Sequence, residues 1–334
     1  MKKLIFCSLM LAVIVIVLGA YTRLTDAGLG CPDWPGCYGE LFVPASTDKV
    51  AAANAAFPAR PVEASKAWSE MIHRYFAGTL GLLIFSIAAW AAIKRDPRMP
   101  LGLPLFLCVL VVFQAALGMW TVTLNLLPVA VMGHLMGGFG VLACLFVMHL
   151  RVNPITCRDR LKSARRLLGF AFVGMFILGC QIALGGWTSA NYAALACTNF
   201  PVCEGQWWTQ IDLPGAYTVP VAANYEFGVH GYSERMTMHI IHRAGALVTF
   251  VYLLTLGIWL LRTGSKLMNT AGAALIVVLS AQVLLGISNV VMSLPLTVAV
   301  AHNFVAACLL LVMVWIIYQL SHLEGGTTWL NRSR

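Results

Sequence analysis

The sequence predicts an all-α membrane protein: eight transmembrane helices arranged as two parallel-repeat four-helix bundles, with two long outer loops. Three observations carry this expectation. Of the 334 residues, 60% are hydrophobic and 10% charged, whereas a soluble domain carries about 25% charged residues. The apolar residues gather in eight runs, each near the roughly 20 residues a helix needs to cross a bilayer. The second half of the chain then repeats features of the first at a spacing near 168 residues. This composition excludes an ordinary soluble enzyme and a disordered chain.

The runs cover 4–20, 75–93, 101–123, 129–150, 167–186, 240–261, 271–292 and 296–320. The first follows Met1-Lys2-Lys3. It reads as a transmembrane helix rather than a secretory signal, because its apolar stretch exceeds a signal core of roughly 7–15 residues. The repeat also requires it, as the mate of the fifth run. Orientation follows from Lys and Arg. Fifteen of the 22 cations fall before the first run, between runs two and three, four and five, or six and seven, or after the eighth, and seven fall on the other side. Both termini are therefore expected in the cytoplasm. Ten of the 13 acids lie on the opposite, outer side. Two long segments, about 21–72 and 187–238, face outward with Trp34, Trp68, Trp187, Trp207 and Trp208, which are expected at headgroup level. The net charge of +9 comes without basic stretches interleaved with aromatics, so no nucleic-acid partner is expected; the lipid bilayer is the expected surrounding.

The repeat fixes the domain organisation. His73-Arg74 returns as His242-Arg243, Gln114 and Gly118 as Gln282 and Gly286, Leu127-Pro128 as Leu294-Pro295, His134 as His302, and Cys31…Cys37 as Cys197…Cys203. Four spans per half start both halves on the same side, so the repeats are parallel and related by an axis along the membrane normal. The expected units are 1–150, a cytoplasmic linker 151–166, a second unit 167–322 and a cytoplasmic tail 323–334.

Ionisable side chains inside a membrane are costly and face the bundle interior. His73 with His134, and His242 with His302, put two imidazoles at similar depth in each half. That pattern matches a haem held between facing helices, with histidine as axial ligand. Backbone hydrogen bonding across a helix interface is the plainer alternative. Zinc wants about four ligands where each pair offers two, and copper would draw on the nearby Met71, Met132 and Met136. Arg74 and Arg243 suit either a bidentate carboxylate such as a haem propionate or an interfacial anchor. His149 and His322 fall near cytoplasmic helix ends as anchors, and His230 lies in an outer loop, expected solvated.

One position breaks the symmetry: Glu70 precedes His73 by three residues, whereas His239 precedes His242. A carboxylate in one half only suits one catalytic site and one electron-supplying site, with Glu70 moving protons; the alternative is a charge complementing the helix dipole. The two C-x5-C pairs lie in an oxidising outer compartment, which permits the disulfides Cys31–Cys37 and Cys197–Cys203; redox cycling is a second use. Cys7, Cys108, Cys144, Cys180 and Cys308 read as packing residues in spans, and Cys157 as a reduced cytoplasmic thiol.

Over nearly the whole chain these features resemble the haem A synthase family, which serves cytochrome oxidase assembly. The resemblance rests on eight spans, the duplication, the stretch from Gly28 to Cys37, the Glu70-x-x-His73-Arg74 run and the four paired histidines. It implies oxidation of a haem O methyl group to the formyl group of haem A, by two successive hydroxylations and loss of water. It implies that His242 and His302 bind a resident haem b, that His73 and His134 hold the substrate porphyrin, that Glu70 is the catalytic carboxylate and that Cys31/Cys37 is the important outer pair. Its partners would be haem O with its supplier enzyme and an electron donor left unidentified; homo-oligomerisation stays open. The alternatives are a bis-histidine cytochrome b for electron transfer, which leaves Glu70 against His239 unexplained, and a transporter, whose site would sit nearer the midplane.

Overall fold

The computed structural model describes residues 1–154 and 163–324. Among these residues there is no strand, and the helices are α1 (Lys2–Leu24), α2 (Thr47–Ala56), α3 (Ala64–Lys94), α4 (Gly102–Thr123), α5 (Pro128–Val152), α6 (Ala164–Ala190), α7 (Leu213–Ala216), α8 (Tyr232–Leu261), α9 (Lys266–Val291) and α10 (Leu296–Glu324). Eight of them, all but α2 and α7, are long and apolar enough to cross a membrane, so the all-α, eight-span expectation holds. Cys157, most of the linker 151–166, the cations Arg158, Arg160, Lys162, Arg332 and Arg334, and most of the tail 323–334 lie outside the described residues.

The helices pack as two rings. In the first half α1 touches α3, α3 touches α4, α4 touches α5 and α5 returns to α1; α6, α8, α9 and α10 close the same ring in the second half. Hence α3 faces α5 across one diagonal, and α8 faces α10 across the other. The halves meet through α5 with α6, α1 with α10, and α5 with α10.

Local chemistry repeats as well. The α4–α5 connection holds Asn125 and Leu126 at positive φ, and the α9–α10 connection does the same with Ser293 and Leu294. Each is closed by a back-bond, Leu126 N–H to Thr121 O at 2.8 Å and Leu294 N–H to Asn289 O at 2.7 Å. Pro128 then opens α5, where its missing N–H costs nothing. α1 and α6 end alike: Asp26 and Tyr192 take positive φ, and the following Ala27 and Ala193 donate to the Thr22 and Thr188 carbonyls at 2.9 Å. This is the left-handed helix stop.

The apolar core fills the half of both bundles away from the long loops. Ile5, Ile84, Leu142, Leu167, Leu256 and Met313 belong to one continuous buried cluster that joins the two halves. The loop-face half is more polar and carries the four paired histidines. Helices α3 and α8 begin at Ala64 and Tyr232, well before the apolar runs at 75 and 240. Hydropathy marks where a helix enters lipid, whereas the helix itself continues outward by packing against the loops.

Those loops interlock the halves. Residues of the second loop lie on the end of the first bundle: Tyr225 N–H donates to Asn125 O at 3.0 Å, Asn125 Nδ2 donates to Ala223 O at 3.0 Å, and Tyr225 packs with Leu29, Val122 and Leu126. Glu226 pairs with Arg60 of the first loop at 3.6 Å. In the other direction, Arg23 at the end of α1 donates to Ser189 O at 2.5 Å and lies 3.9 Å over the Tyr192 ring. Trp187 faces protein rather than lipid: it is buried, with its indole N–H on Ala216 O at 2.9 Å. His230 is not solvated. It is buried within the second loop, and that burial lowers its pKa.

Candidate functional site: two histidine pairs beneath two disulfide loops

Each bundle brings histidines inward from diagonally opposed helices, His73 on α3 with His134 on α5, and His242 on α8 with His302 on α10. The His73 and His134 rings stand 6.3 Å apart, centre to centre, and nearly perpendicular. His242 and His302 are close enough to interact electrostatically. The other diagonal supplies glycines. A Cβ on Gly19 of α1 would lie 3.0 Å from His73 Cε1, and one on Gly118 of α4 would lie 3.2 Å from His134 Cε1. Gly185 of α6 and Gly286 of α9 stand in the same relation to His242 at 3.0 Å and to His302 at 3.1 Å. Each imidazole therefore lies against a helix that has no side chain at that point. Gly118 and Gly286 belong to the repeat read from sequence. Gly19 and Gly185 do not stand out there, although they share the spacing of the cysteine pairs.

The rings fit a metal-centred group. Two metal–nitrogen bonds of about 2 Å each, with the two half-rings behind them, fill the 6.3 Å between His73 and His134. The Nδ1 atoms of His73, His134 and His302 make no well-aligned hydrogen bond and have no side-chain partner; the polar groups near these rings are the backbone carbonyls of Val15, Gln114 and Gln282. Zinc is served less well. The one group of three or more clustered ligand residues among the described residues is Cys197, Cys203 and Glu204, and its cysteines are already joined to each other. Substituting Gly185→Val is expected to push the His242 ring from its place at an overpacking cost of about 1–3 kcal/mol, and the melting temperature should fall accordingly.

Above each pair sits a disulfide loop. Cys31–Cys37 and Cys197–Cys203 are both formed, with Cα separations of 4.9 and 5.0 Å. An arginine from the helix below enters each loop. Arg74 Nη1 donates to the carbonyls of Asp33 at 3.0 Å and Gly36 at 2.6 Å, with Pro35 at 3.4 Å. Arg243 donates to Asn199 at 2.8 Å, Pro201 at 3.2 Å and Cys197 at 2.6 Å. The two guanidinium groups thus clamp loop backbone, a use that the sequence does not reveal. The first loop is tied further by the Asp33 carboxylate, which accepts from Tyr38 and Gly39 N–H at 2.7 Å. In the second loop Glu204 accepts from Thr198 and Asn199, and the Thr198 hydroxyl holds its carboxyl below the usual range. Replacing Cys31 by Ser is expected to cost about 2–3 kcal/mol and lower the melting temperature, without releasing the Arg74 clamp.

Glu70 is buried, only 4% exposed. Its Oε2 accepts from Cys31 N–H at 2.9 Å, and its Oε1 accepts from Arg74. The carboxylate is therefore aimed by the disulfide loop on one side and the loop-clamping arginine on the other. Gly30 makes the approach possible, since a Cβ there would lie 2.5 Å from the Lys66 backbone. A polar cavity of about 190 Å³ between the two loops reaches Gly30 and is lined by Asp26, Arg60, Glu63, Lys66 and Glu226. In the second bundle His239 takes the place of Glu70. It is buried and its Nδ1 has no partner, so among the described residues the ion pair of the first bundle has no counterpart.

The family model described as cytochrome oxidase assembly protein, COX15-CtaA, matches residues 2–314. The chain belongs to this family. It is similar to the heme A synthase of Shewanella oneidensis, with 48% identity over 324 residues covering 96% of this chain and 97% of the relative. The heme A synthases of Rickettsia prowazekii and Halalkalibacterium halodurans are each 26% identical, covering 93% and 92% of this chain and 95% and 93% of the relatives. Family membership therefore extends across both bundles, both loops and all four paired histidines.

Proposed function

We propose that this chain is a membrane haem A synthase that oxidises the methyl group of haem O to the formyl group of haem A, by two successive hydroxylations and loss of water. The unit 167–322 holds a resident haem b through His242 and His302, and the unit 1–150 holds the substrate porphyrin through His73 and His134. Haem iron, when bound, supplies one-electron and oxygen chemistry. The chain's own residues supply position and proton control. His73 and His134 reach inward from opposed helices and fix the depth of the porphyrin. Glu70, three residues before His73 on α3, holds or gives up a proton at its carboxylate, and Cys31 N–H and Arg74 keep that group aimed. Arg74 and Arg243 brace the loops that cover the two sites and limit water above them. The observation that carries this reading is that two like histidine sites differ in having one buried carboxylate between them, at Glu70. A bis-histidine cytochrome b has no need of that difference.

The cation asymmetry supports both termini in the cytoplasm and the loops outside the inner (plasma) membrane. Haem O from its supplier enzyme, and an electron donor, complete the system. The test is extraction of haem from protein purified from a host that makes haem O, with mass analysis of each fraction. Haem A or a hydroxylated intermediate beside haem B is expected. Haem B alone, with haem O present and untouched, would replace this reading with electron transfer.

A further inference from the structure

The two histidine sites differ a second time, on the helices that supply the glycines. Gly19 and Gly185 are matched, and one turn before them stand Val15 on α1 and Gln181 on α6. The Gln181 Nε2 lies 3.1 Å from His242 Nδ1 and donates to the His242 carbonyl at 3.1 Å. Its Oε1 is buried without a partner. No side chain meets His73 in this way. The polar group near that ring is the Val15 backbone carbonyl, and a valine side chain has nothing to offer the His73 Nδ1. The place Gln181 occupies is made by Gly245, where a Cβ would collide with the Gln181 amide and stand 3.0 Å from Leu184 Cδ1. The matching position in the first bundle is Phe76. A glutamine facing a glycine in one half thus replaces a valine and a phenylalanine in the other. Gln114 and Gln282 are present in both halves; Gln282 Nε2 lies 3.3 Å from His302 Nε2, whereas Gln114 Nε2 has no partner, and Gln181 is the side chain that meets His242.

We propose that Gln181 is the positioning residue that fixes His242 on the resident haem, and that Val15 in its place leaves the first site free to exchange its porphyrin. The inference rests on the haem reading given above. A histidine that binds iron through Nε2 keeps its proton on Nδ1. The Gln181 amide stands 3.1 Å from that Nδ1 and at the same time holds the His242 backbone carbonyl, so it fixes both the ring and the backbone that carries it; turning its oxygen to the proton would exchange the carbonyl bond for one to Nδ1. Partners of this kind orient a ligating imidazole and raise its basicity. A resident haem must stay through many turnovers, whereas a substrate must enter and its product leave. The chain places the side-chain partner on the site that has to retain.

The full-length protein, purified with its haem, carries the test. Haem b is transferred to excess apomyoglobin and its midpoint potential is measured, for the parent protein, Gln181→Val, Gln181→Glu and His242→Ala. Gln181→Val is expected to speed transfer about 10-fold or more and to raise the potential. Gln181→Glu should retain haem and lower the potential, because a carboxylate makes the imidazole more basic. Opposite shifts from the two variants would not come from loosened packing alone. If Gln181→Val fails to fold, the sign of the Gln181→Glu shift decides. Parent-like transfer and potential in the Gln181 variants, with His242→Ala devoid of haem b, would overturn the role of Gln181 alone. An unchanged haem b spectrum in His242→Ala would overturn the haem assignment and this inference with it.

Discussion

Replacing Glu70 by Ala is expected to leave a folded, haem-loaded protein that no longer converts its substrate. Folding should survive because Arg74 is not abandoned: it keeps the carbonyls of Asp33, Pro35 and Gly36. Removing one member of a buried pair costs roughly 3–5 kcal/mol when the survivor has no other partner, and the loop carbonyls keep the cost here below that. Conversion should fall by about 10²–10⁴-fold, the range for loss of a positioned acid or base. Glu70→Gln refines the test. Its amide oxygen still accepts from Cys31 N–H, yet it cannot carry the proton. Turnover of haem O measured per resident haem b distinguishes the cases. Equal loss in both variants assigns proton transfer. Activity retained by Glu70→Gln alone assigns aiming, and normal product from both removes Glu70 from the mechanism.

Replacing His242 or His302 by Ala is expected to abolish the resident haem b, with near-complete loss of its reduced-minus-oxidised absorbance. His73→Ala should behave in the opposite way, keeping that spectrum while losing conversion. The contrast comes from the fold: the histidines of each pair lie across the diagonal of one ring and share no helix with the other pair. Loss of one ligand then empties one site and leaves the other standing. Equal spectral loss from His73→Ala and His242→Ala would mean that the two sites are not independent.

Much of this is legible in the sequence. The eight spans are visible because lipid demands unbroken apolar length, and the duplication because paired histidines, prolines and cysteines keep their order. The disulfides follow from equal spacing in two outer loops. Other features are hidden. As sequence, Arg74 and Arg243 suit a carboxylate or a lipid equally, because a guanidinium is satisfied by any planar set of acceptors; only the folded loop presents the carbonyls of Asp33 and Asn199 to them. The outward extensions of α3 and α8 carry charged residues that end an apolar run without ending a helix. Gln181 carries no signal of its own because its meaning lies in a comparison with Val15, and neither residue is unusual alone.

The clasp between the halves has a further consequence. Tyr225 and Asn125, Glu226 and Arg60, and Arg23 and Ser189 join the bundles at the loop face, and the buried apolar cluster joins them at the opposite end. Two similar bundles fastened at both ends are not interchangeable modules. Fission of the chain between them would yield fragments that each expose a surface shaped for the other. Contacts at both ends also oppose rotation of one bundle against its neighbour, so the spacing of the two histidine pairs is set by the protein's own contacts.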